Sequence, residues 1–151
     1  MKELTFQRTD GENPEFLELI LLLDASLAKS DGDLHGFYNQ FNGLENIKHI
    51  VVAYDQGSAV ACGAIKAFDK NSTEIKRMFT VPEYRGKGIG SQILSQLETW
   101  ATELYFTSCV LETGKRQPDA IALYKKNGYL KITNYGQYYG MENSVCFKKS
   151  L

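Results

Sequence analysis

The chain has 151 residues, of which 43% are hydrophobic and 23% charged, with a formal net charge of -1. This length predicts one domain, residues 1–151, with a core of its own. The near-neutral balance argues against nucleic-acid binding, which usually needs a strongly basic surface. A membrane span needs about 20 apolar residues, whereas the longest aliphatic run is Leu19–Leu23. The charged start MKELTFQRTD is not typical of a secretory signal, so we expect a cytoplasmic protein with no membrane association.

The cysteines and histidines predict no metal site. Cys62, Cys109 and Cys146 lie far apart and form no CxxC pair. An odd cysteine count without a disulfide framework favours buried free thiols in a reducing compartment. His35 and His49 have no zinc-ligand spacing with each other or with the cysteines.

The first half of the chain predicts one short strand, two helices and three strands. Alternation from Leu4 indicates a strand, and Asn13 before Pro14 is typical of a helix start. That helix has an apolar face over 16–27, and a shorter helix is predicted over 34–41. Strands are predicted over 47–53, 58–68 and 73–81.

The second half alternates helices and strands. Apolar residues from Ile89 to Leu104 follow the spacing of one helix face. A strand over 108–113 and a helix over 118–126 follow, and Asn127-Gly128 is a standard helix end. Final strands are predicted over 129–132 and 145–148. This order is that of a mixed α/β protein with a central sheet.

A glycine-rich loop, RGKGIG at 85–90, lies between a predicted strand and the long helix. Backbone N–H groups at a helix N-terminus bind phosphate, and glycine lets the backbone approach closely. The loop lacks the GK[ST] of a Walker A motif and the GxGxxG of a dinucleotide fingerprint. The remaining pattern is RxxGxG, with a loop that binds nothing as the alternative.

Two stretches resemble one family. EIKRMFTVPEYRGKGIGSQIL resembles the acetyl-CoA-binding core of the GNAT superfamily of N-acetyltransferases, and LETGKRQPDAIALYKKNGY resembles its later strand and helix. The ending ITNYGQYYGMENSVCFKK is similar to that of a bacterial GNAT subgroup of undefined substrate. The resemblance implies a mixed, mostly antiparallel sheet of six or seven strands, splayed in the middle and flanked by about four helices.

The resemblance also implies where acetyl-CoA binds as cosubstrate. The splay opens where strands 73–81 and 108–114 part, and the pantetheine arm pairs there with the first strand. The pyrophosphate binds the glycine loop. The implied binding residues are Met78, Phe79, Thr80, Arg85, Gly86, Lys87, Gly88, Ile89, Gly90 and Ser91.

Three residues are candidates for proton transfer. Tyr124 matches the position that often supplies the general acid in GNAT enzymes, with simple packing on the sheet as the alternative. Glu74 and Glu112 are candidate bases, or solvated strand carboxylates; an acceptor that binds neutral needs no base. Strand alternation places Glu74 on one face with Lys76 and Met78.

The acceptor side has weaker candidates. In this superfamily the early helices build the acceptor pocket. In this chain those helices hold Asp31, Asp33, His35, Tyr38 and Asn42. The tyrosine-rich loop either walls that pocket or only packs and turns; its residues are Tyr135, Tyr138 and Tyr139. Lys115 and Arg116 either meet the 3′-phosphate of CoA or are plain loop charges.

The expected function is transfer of the acetyl group of acetyl-CoA to a primary amine, directly within a ternary complex. The amine belongs to a small molecule, a peptide or a protein. Cys109, on the strand beside the cleft, keeps a covalent route open. A non-catalytic CoA-binding regulatory domain and a transferase for another acyl-CoA are the alternatives, and a homodimer is left open.

Overall fold

A computed structural model describes residues 4–32 and 47–151. One sheet contains seven strands, β1 (Leu4–Thr9), β2 (His49–Asp55), β3 (Ser58–Ala67), β4 (Ser72–Thr80), β5 (Ser108–Gly114), β6 (Leu130–Ile132) and β7 (Ser144–Ser150). The helices of the described ranges are α1 (Pro14–Asp31), α2 (Ile89–Glu103) and α3 (Pro118–Lys126), with short 3-10 turns at Pro82–Tyr84 and Gly136–Tyr138. The helix predicted over 34–41 lies outside the described residues.

The sheet is splayed at its centre. The strand order is β1-β2-β3-β4-β5-β7-β6, and all neighbours are antiparallel except β4 and β5. These two pair only over three positions, Ser72–Glu74 with Ser108–Val110, and then part. The mixed, splayed sheet that the resemblance implied is confirmed.

The helices pack on opposite faces of the sheet. The side chain of Asn13 accepts hydrogen bonds from the backbone N–H groups of Glu15 and Phe16, which fixes the start of α1 where the sequence predicts it. Phe16 and Leu19 of α1 pack against β2 and β3 on one face. The other face is covered by α2 and α3. None of the helices within 4–32 and 47–151 is long and apolar enough to cross a membrane.

A β-bulge interrupts β4 at the start of the splay. Lys76 pairs with Ala64 and Phe79 with Cys62, so Gly63 faces both Arg77 and Met78. Arg77 has a φ of 59°, in the left-handed region that a non-glycine residue rarely adopts. An extra residue reverses the alternation of side chains along a strand.

The predicted placement of Met78 beside Glu74 and Lys76 is therefore wrong. Met78 packs with Ile75 on the α2 face. A Cβ added at Gly63 would lie 2.5 Å from the Met78 Sδ and 2.8 Å from the Ile93 Cγ2. The bulge turns Arg77 instead toward α1, where its guanidinium contacts Asp24.

Candidate active site

A cavity of about 140 Å³ lies where β4 and β5 part. Its lining includes all three predicted proton-transfer residues, Glu74 from β4, Glu112 from β5 and Tyr124 from α3. Leu23 and Leu27 of α1 close its opposite side. The fold thus brings together groups from three separate stretches of the chain.

Tyr124 both packs in the core and lines the cavity. The residue is only 6% exposed, and its ring contacts those of Tyr129 and Phe147 at centroid distances of 5.8 and 6.3 Å. Burial, and next the nearby charge of Glu112, raise the pKa of the Tyr124 phenol. The hydroxyl is therefore protonated throughout the ordinary pH range and can act as a hydrogen-bond donor.

Glu74 is held by specific contacts. Its Oε2 accepts a hydrogen bond from the Tyr135 hydroxyl at 2.6 Å, and its Oε1 lies 3.8 Å from the Lys76 Nζ. Its side chain is 12% exposed. Burial lowers the pKa of Lys76, although the Glu74 carboxylate acts in the opposite direction. Glu74 is therefore not a solvated surface carboxylate.

The tyrosine-rich loop divides between these roles. Tyr138 is buried and lines the cavity, whereas Tyr139 is 76% exposed. Tyr135 packs edge-on against Phe68 at 4.8 Å while it holds Glu74. The loop therefore forms part of the cavity wall through Tyr138 and positions a carboxylate through Tyr135.

The glycine loop presents backbone donors at the start of α2. Gly88 is the N-cap with a φ of 81°, and no side chain of the described ranges caps this end. The first N–H groups of a helix have no intrahelical acceptor. A Cβ added at Gly86 or Gly88 would have no atom within 4 Å, so this backbone faces open space. The site fits a pyrophosphate by its donors, its helix dipole and its accessibility.

Gly90 has a different structural reason. A Cβ added there would lie 3.2 Å from the Leu123 Cδ2, so the first turn of α2 packs closely on α3. The Asn127 Nδ2 donates to the Ser91 Oγ at 3.0 Å and to the Leu123 carbonyl at 2.9 Å. The end of α3 thereby fixes the position of the α2 N-terminus.

Arg85 of the loop contacts the end of β4, and Lys87 contacts the 3-10 turn that follows it. The Arg85 Nε donates to the Thr80 carbonyl at 2.8 Å, and the guanidinium lies 5.6 Å from the centre of the Phe79 ring. The Lys87 Nζ lies 5.4 Å from the centre of the Tyr84 ring. Because β5 leaves β4 after Glu74, the segment Met78–Thr80 has β3 as its strand neighbour.

Arg77 was missed by the sequence argument. Its Nη2 donates to the Asp24 Oδ1 at 2.6 Å, its side chain is 2% exposed, and it lines the cavity. Simple alternation puts Arg77 between Ile75 and Phe79 on an apolar face, and that conflict was the available signal.

The cysteines are free and buried, as predicted. Cys109 is fully buried in the α2-side core, and burial raises the pKa of its thiol to about 11. The covalent route depends on an accessible thiolate, which Cys109 does not provide. Within residues 4–32 and 47–151, no group of three or more His, Cys, Asp or Glu side chains is placed to hold a metal ion.

Most of the remaining acceptor candidates lie outside the residues that the structure describes. Asp31 is the last residue of α1, whereas the others fall outside the described residues; these are Asp33, His35, Tyr38 and Asn42. The Arg116 Nη1 donates to the Ser30 carbonyl at 3.3 Å, at the end of α1.

The splayed sheet with a glycine loop at the start of α2 is the architecture of an acyl-CoA transferase fold, and comparison with known proteins gives the family. Residues 15–129 match the family model of the GNAT acetyltransferases. The chain belongs to the GNAT family.

Relatives along the full chain agree. The chain is 34% identical to an IAA acetyltransferase of Azospirillum brasilense over 100% of both chains. It is 28% identical to YjgM of Escherichia coli K12, an N-acetyltransferase not further characterised, over 87% of this chain and 82% of YjgM.

Solved structures show the same fold. A protein of Klebsiella pneumoniae, assigned as an acyl-CoA N-acyltransferase, superposes with a TM-score of 0.83 at 32% identity, over 100% of this chain and 99% of the other. A GNAT acetyltransferase of Elizabethkingia anophelis, solved with acetyl-CoA bound, has a TM-score of 0.73 at 17% identity with full coverage of both chains.

Proposed function

We propose that residues 1–151 work as one domain that transfers the acetyl group of acetyl-CoA to a primary amine. The observation that supports this most is the meeting of Glu74, Glu112 and Tyr124 in one cavity at the splay. Membership of the GNAT family supports acyl transfer from a CoA thioester. We propose a cytoplasmic location because the three thiols are free.

The donor is proposed to bind along β4 and the start of α2. The pyrophosphate accepts hydrogen bonds from backbone N–H groups of the loop, including those of Ile89 and Gly90, with Arg85 and Lys87 adding positive charge. The pantetheine arm runs beside Met78–Thr80, where β4 has lost β5 as its neighbour. This arrangement directs the thioester toward the cavity.

The proposed reaction is direct attack by the amine on the thioester carbonyl. A nitrogen–carbon bond forms, the carbonyl oxygen becomes an oxyanion, and collapse breaks the carbon–sulfur bond to release CoA thiolate. A backbone N–H near Phe79 is the proposed oxyanion donor, a contribution that in comparable sites amounts to about 3–4 kcal/mol. Cys109 takes no part because its side chain lies in the core.

Tyr124 is proposed to stabilise the departing thiolate. A thiol has a pKa of about 8.5, whereas burial raises the pKa of the Tyr124 phenol above its ordinary value. Complete proton transfer from phenol to thiolate is therefore uphill. The contribution of Tyr124 is a hydrogen bond that strengthens as charge develops on sulfur, and it raises kcat more than it lowers KM.

Glu74 and Glu112 are the proposed groups that take a proton from the acceptor ammonium, directly or through water, before the neutral amine attacks. The second proton leaves the nitrogen as the tetrahedral intermediate collapses and passes to the departing thiolate. The Glu74 Oε2 accepts a hydrogen bond from Tyr135 and its Oε1 lies 3.8 Å from the Lys76 Nζ, so Oε1 is the less constrained of the two oxygens. Glu112 lies on the other side of the splay and is close enough to raise the pKa of Tyr124. Either carboxylate can therefore take the proton of an amine bound in the cavity.

The test is release of CoA from acetyl-CoA with a panel of amines, together with mass spectrometry of the acetylated product. We expect CoA and acetylated amine in equal amounts with at least one amine. Tight binding of acetyl-CoA without release above the buffer rate for any amine would overturn the enzyme in favour of a CoA-binding regulatory domain. Faster release from a longer acyl-CoA would replace acetyl as the donor group.

A further inference from the structure

A buried guanidinium at the α1 side of the cavity has unused donors. The side chain of Arg77 is 2% exposed, and its Nη2 is bound by the Asp24 Oδ1. Its Nε and Nη1 are buried and have no hydrogen-bond partner among the residues that the structure describes. A buried charged group normally satisfies its donors, so these two nitrogens need an explanation.

Asp24 neutralises Arg77 only in part. Its carboxylate makes one contact with the guanidinium, through Oδ1, and its side chain is 43% exposed. The planar guanidinium is suited to bind a second carboxylate through its remaining N–H groups. Nε and Nη1 have almost no surface open to solvent, so the guanidinium has to turn toward the cavity that Arg77 lines before an anion can bind them.

The backbone holds Arg77 in this place at a cost. Arg77 has a φ of 59° within the bulge of β4, a conformation that is strained for a residue with a side chain. Without the bulge, alternation would turn the residue toward the α2 face, where Met78 now packs. The bulge therefore delivers a cationic side chain to the α1 side of the cavity.

The other walls limit what accompanies the anion. Glu74 and Glu112 line the cavity and favour a cationic amine, while Leu23 and Leu27 of α1 provide apolar contact. Charges of both signs therefore line one small space, with Lys76 3.8 Å from Glu74 on the β4 wall and Arg77 on the α1 side. A molecule with an ammonium, a carboxylate and an apolar body matches this distribution.

We infer that the acceptor is a zwitterionic amine of the apolar amino-acid type, whose carboxylate binds the Nε and Nη1 of Arg77. This inference rests on the proposed function, since it identifies the acceptor of the same cavity. Arg77 acts as a specificity-determining residue that recognises the carboxylate and leaves the chemistry to the groups near the thioester. The phosphates of CoA are assigned to the glycine loop, at the far end of β4.

The experiment compares amines that differ only in the carboxylate. L-leucine, L-methionine and L-phenylalanine are each paired with their carboxamides, and kcat/KM is measured for the wild type and for Arg77→Met. We expect the wild type to prefer the carboxylate by at least about tenfold, a difference of about 1.4 kcal/mol in free energy. In Arg77→Met the preference should fall to within about twofold.

Two further variants control for charge and folding. Arg8→Met removes an exposed guanidinium that pairs with Glu103 away from the cavity, and it should leave the preference unchanged. Arg77→Lys keeps a charge beside Asp24 but lacks the planar fork, so it should fold and retain less than half of the preference. It replaces Arg77→Met if that variant does not fold.

A binding measurement separates this inference from the proposed function. With CoA present, N-acetyl-L-leucine should bind the wild type at least about tenfold more tightly than N-acetyl-L-leucinamide. In Arg77→Met the two compounds should bind equally tightly. If amines are acetylated without carboxylate preference, the inference fails and the enzyme stands. If no amine is acetylated but the carboxylate binds through Arg77, the enzyme fails and the anion site stands. Loss of acetyl-CoA binding in Arg77→Met would overturn the inference by making Arg77 a donor-site residue.

Discussion

The two sides of the cleft are built in different ways. The proposed donor side consists of consecutive backbone groups at 85–91, fixed by positive φ at Gly88 and by the start of α2. The proposed acceptor side consists of side chains joined over long sequence separations, 53 positions from Asp24 to Arg77 and 61 from Glu74 to Tyr135. A local backbone device leaves a contiguous signal in the sequence, whereas a set of long-range side-chain contacts does not.

The largest effect is expected for Gly88→Val on the donor side. A side chain there projects into the space assigned to the pyrophosphate and disturbs donors whose hydrogen bonds to charged groups are worth about 1.5–3 kcal/mol each. We expect CoA affinity to fall by at least about 100-fold in calorimetric titration. Gly57→Val is the matched control, since Gly57 has a φ of 84° and open space around it but lies in the β2–β3 turn. Equal CoA affinity in the two variants would remove the loop from the donor site.

Tyr124 lies where the two sides of the cleft meet, and Tyr124→Phe should reduce turnover. The ring keeps its packing, but the thiolate loses a donor, so kcat should fall roughly 100-fold, at the low end for the loss of one hydrogen-bond donor to a developing charge, with KM little changed. Tyr129→Phe is the control because its hydroxyl donates to the Glu98 Oε2 at 2.9 Å, on the core side of the sheet. Turnover at the wild-type rate by Tyr124→Phe from pH 6 to pH 9 would make Tyr124 a packing residue.

The buried thiol of Cys62, next to the backbone of Arg77, should make the free energy of unfolding depend on pH. Burial raises the pKa of the Cys62 thiol from about 9 to about 12, and this thiol donates to the Arg77 carbonyl at 3.4 Å. The folded state therefore holds the proton more tightly, and its stabilising effect is complete below pH 9 and is lost as the pH rises toward 12. For one thiol the loss is about 1.4 kcal/mol at pH 10.

Denaturant unfolding of the wild type and Cys62→Ala at pH 8 and pH 10 measures this effect. We expect the difference between the two pH values to be smaller in Cys62→Ala. The same change in unfolding free energy between pH 8 and pH 10 in both proteins would mean that the Cys62 thiol is open to water.

The smallest effect is expected for Gly90→Ala. Its Cβ would crowd Leu123 at 3.2 Å, but alanine favours helix over glycine by about 1 kcal/mol. These effects oppose each other, so we expect the free energy of unfolding to change by less than about 1 kcal/mol and CoA affinity to stay within twofold. A loss as large as that of Gly88→Val would show that the donor occupies the space beside the Gly90 Cα as well as accepting from its backbone N–H, which alanine keeps.

The sequence predicted most of the fold and one side of the site. Apolar spacing and the Asn13-Pro14 start located the helices of the described ranges, because those signals are local. The resemblance implied the splay, which the structure confirms, whereas the roles that it implied for the glycine loop and Tyr124 stay predictions. Strand alternation failed at Met78 because a bulge adds a residue without marking it in the sequence. Arg77 and Tyr135 could not be paired with Asp24 and Glu74, since only the folded sheet brings them into contact.

Hydrogen–deuterium exchange with and without acetyl-CoA tests the division of the cleft most directly. We predict slower exchange for the backbone amides of 85–91 and 78–80 when acetyl-CoA is added, and no change in the part of α1 around Leu19–Leu23. Acetyl-CoA that binds tightly and protects α1 while 85–91 exchanges as before would contradict the account.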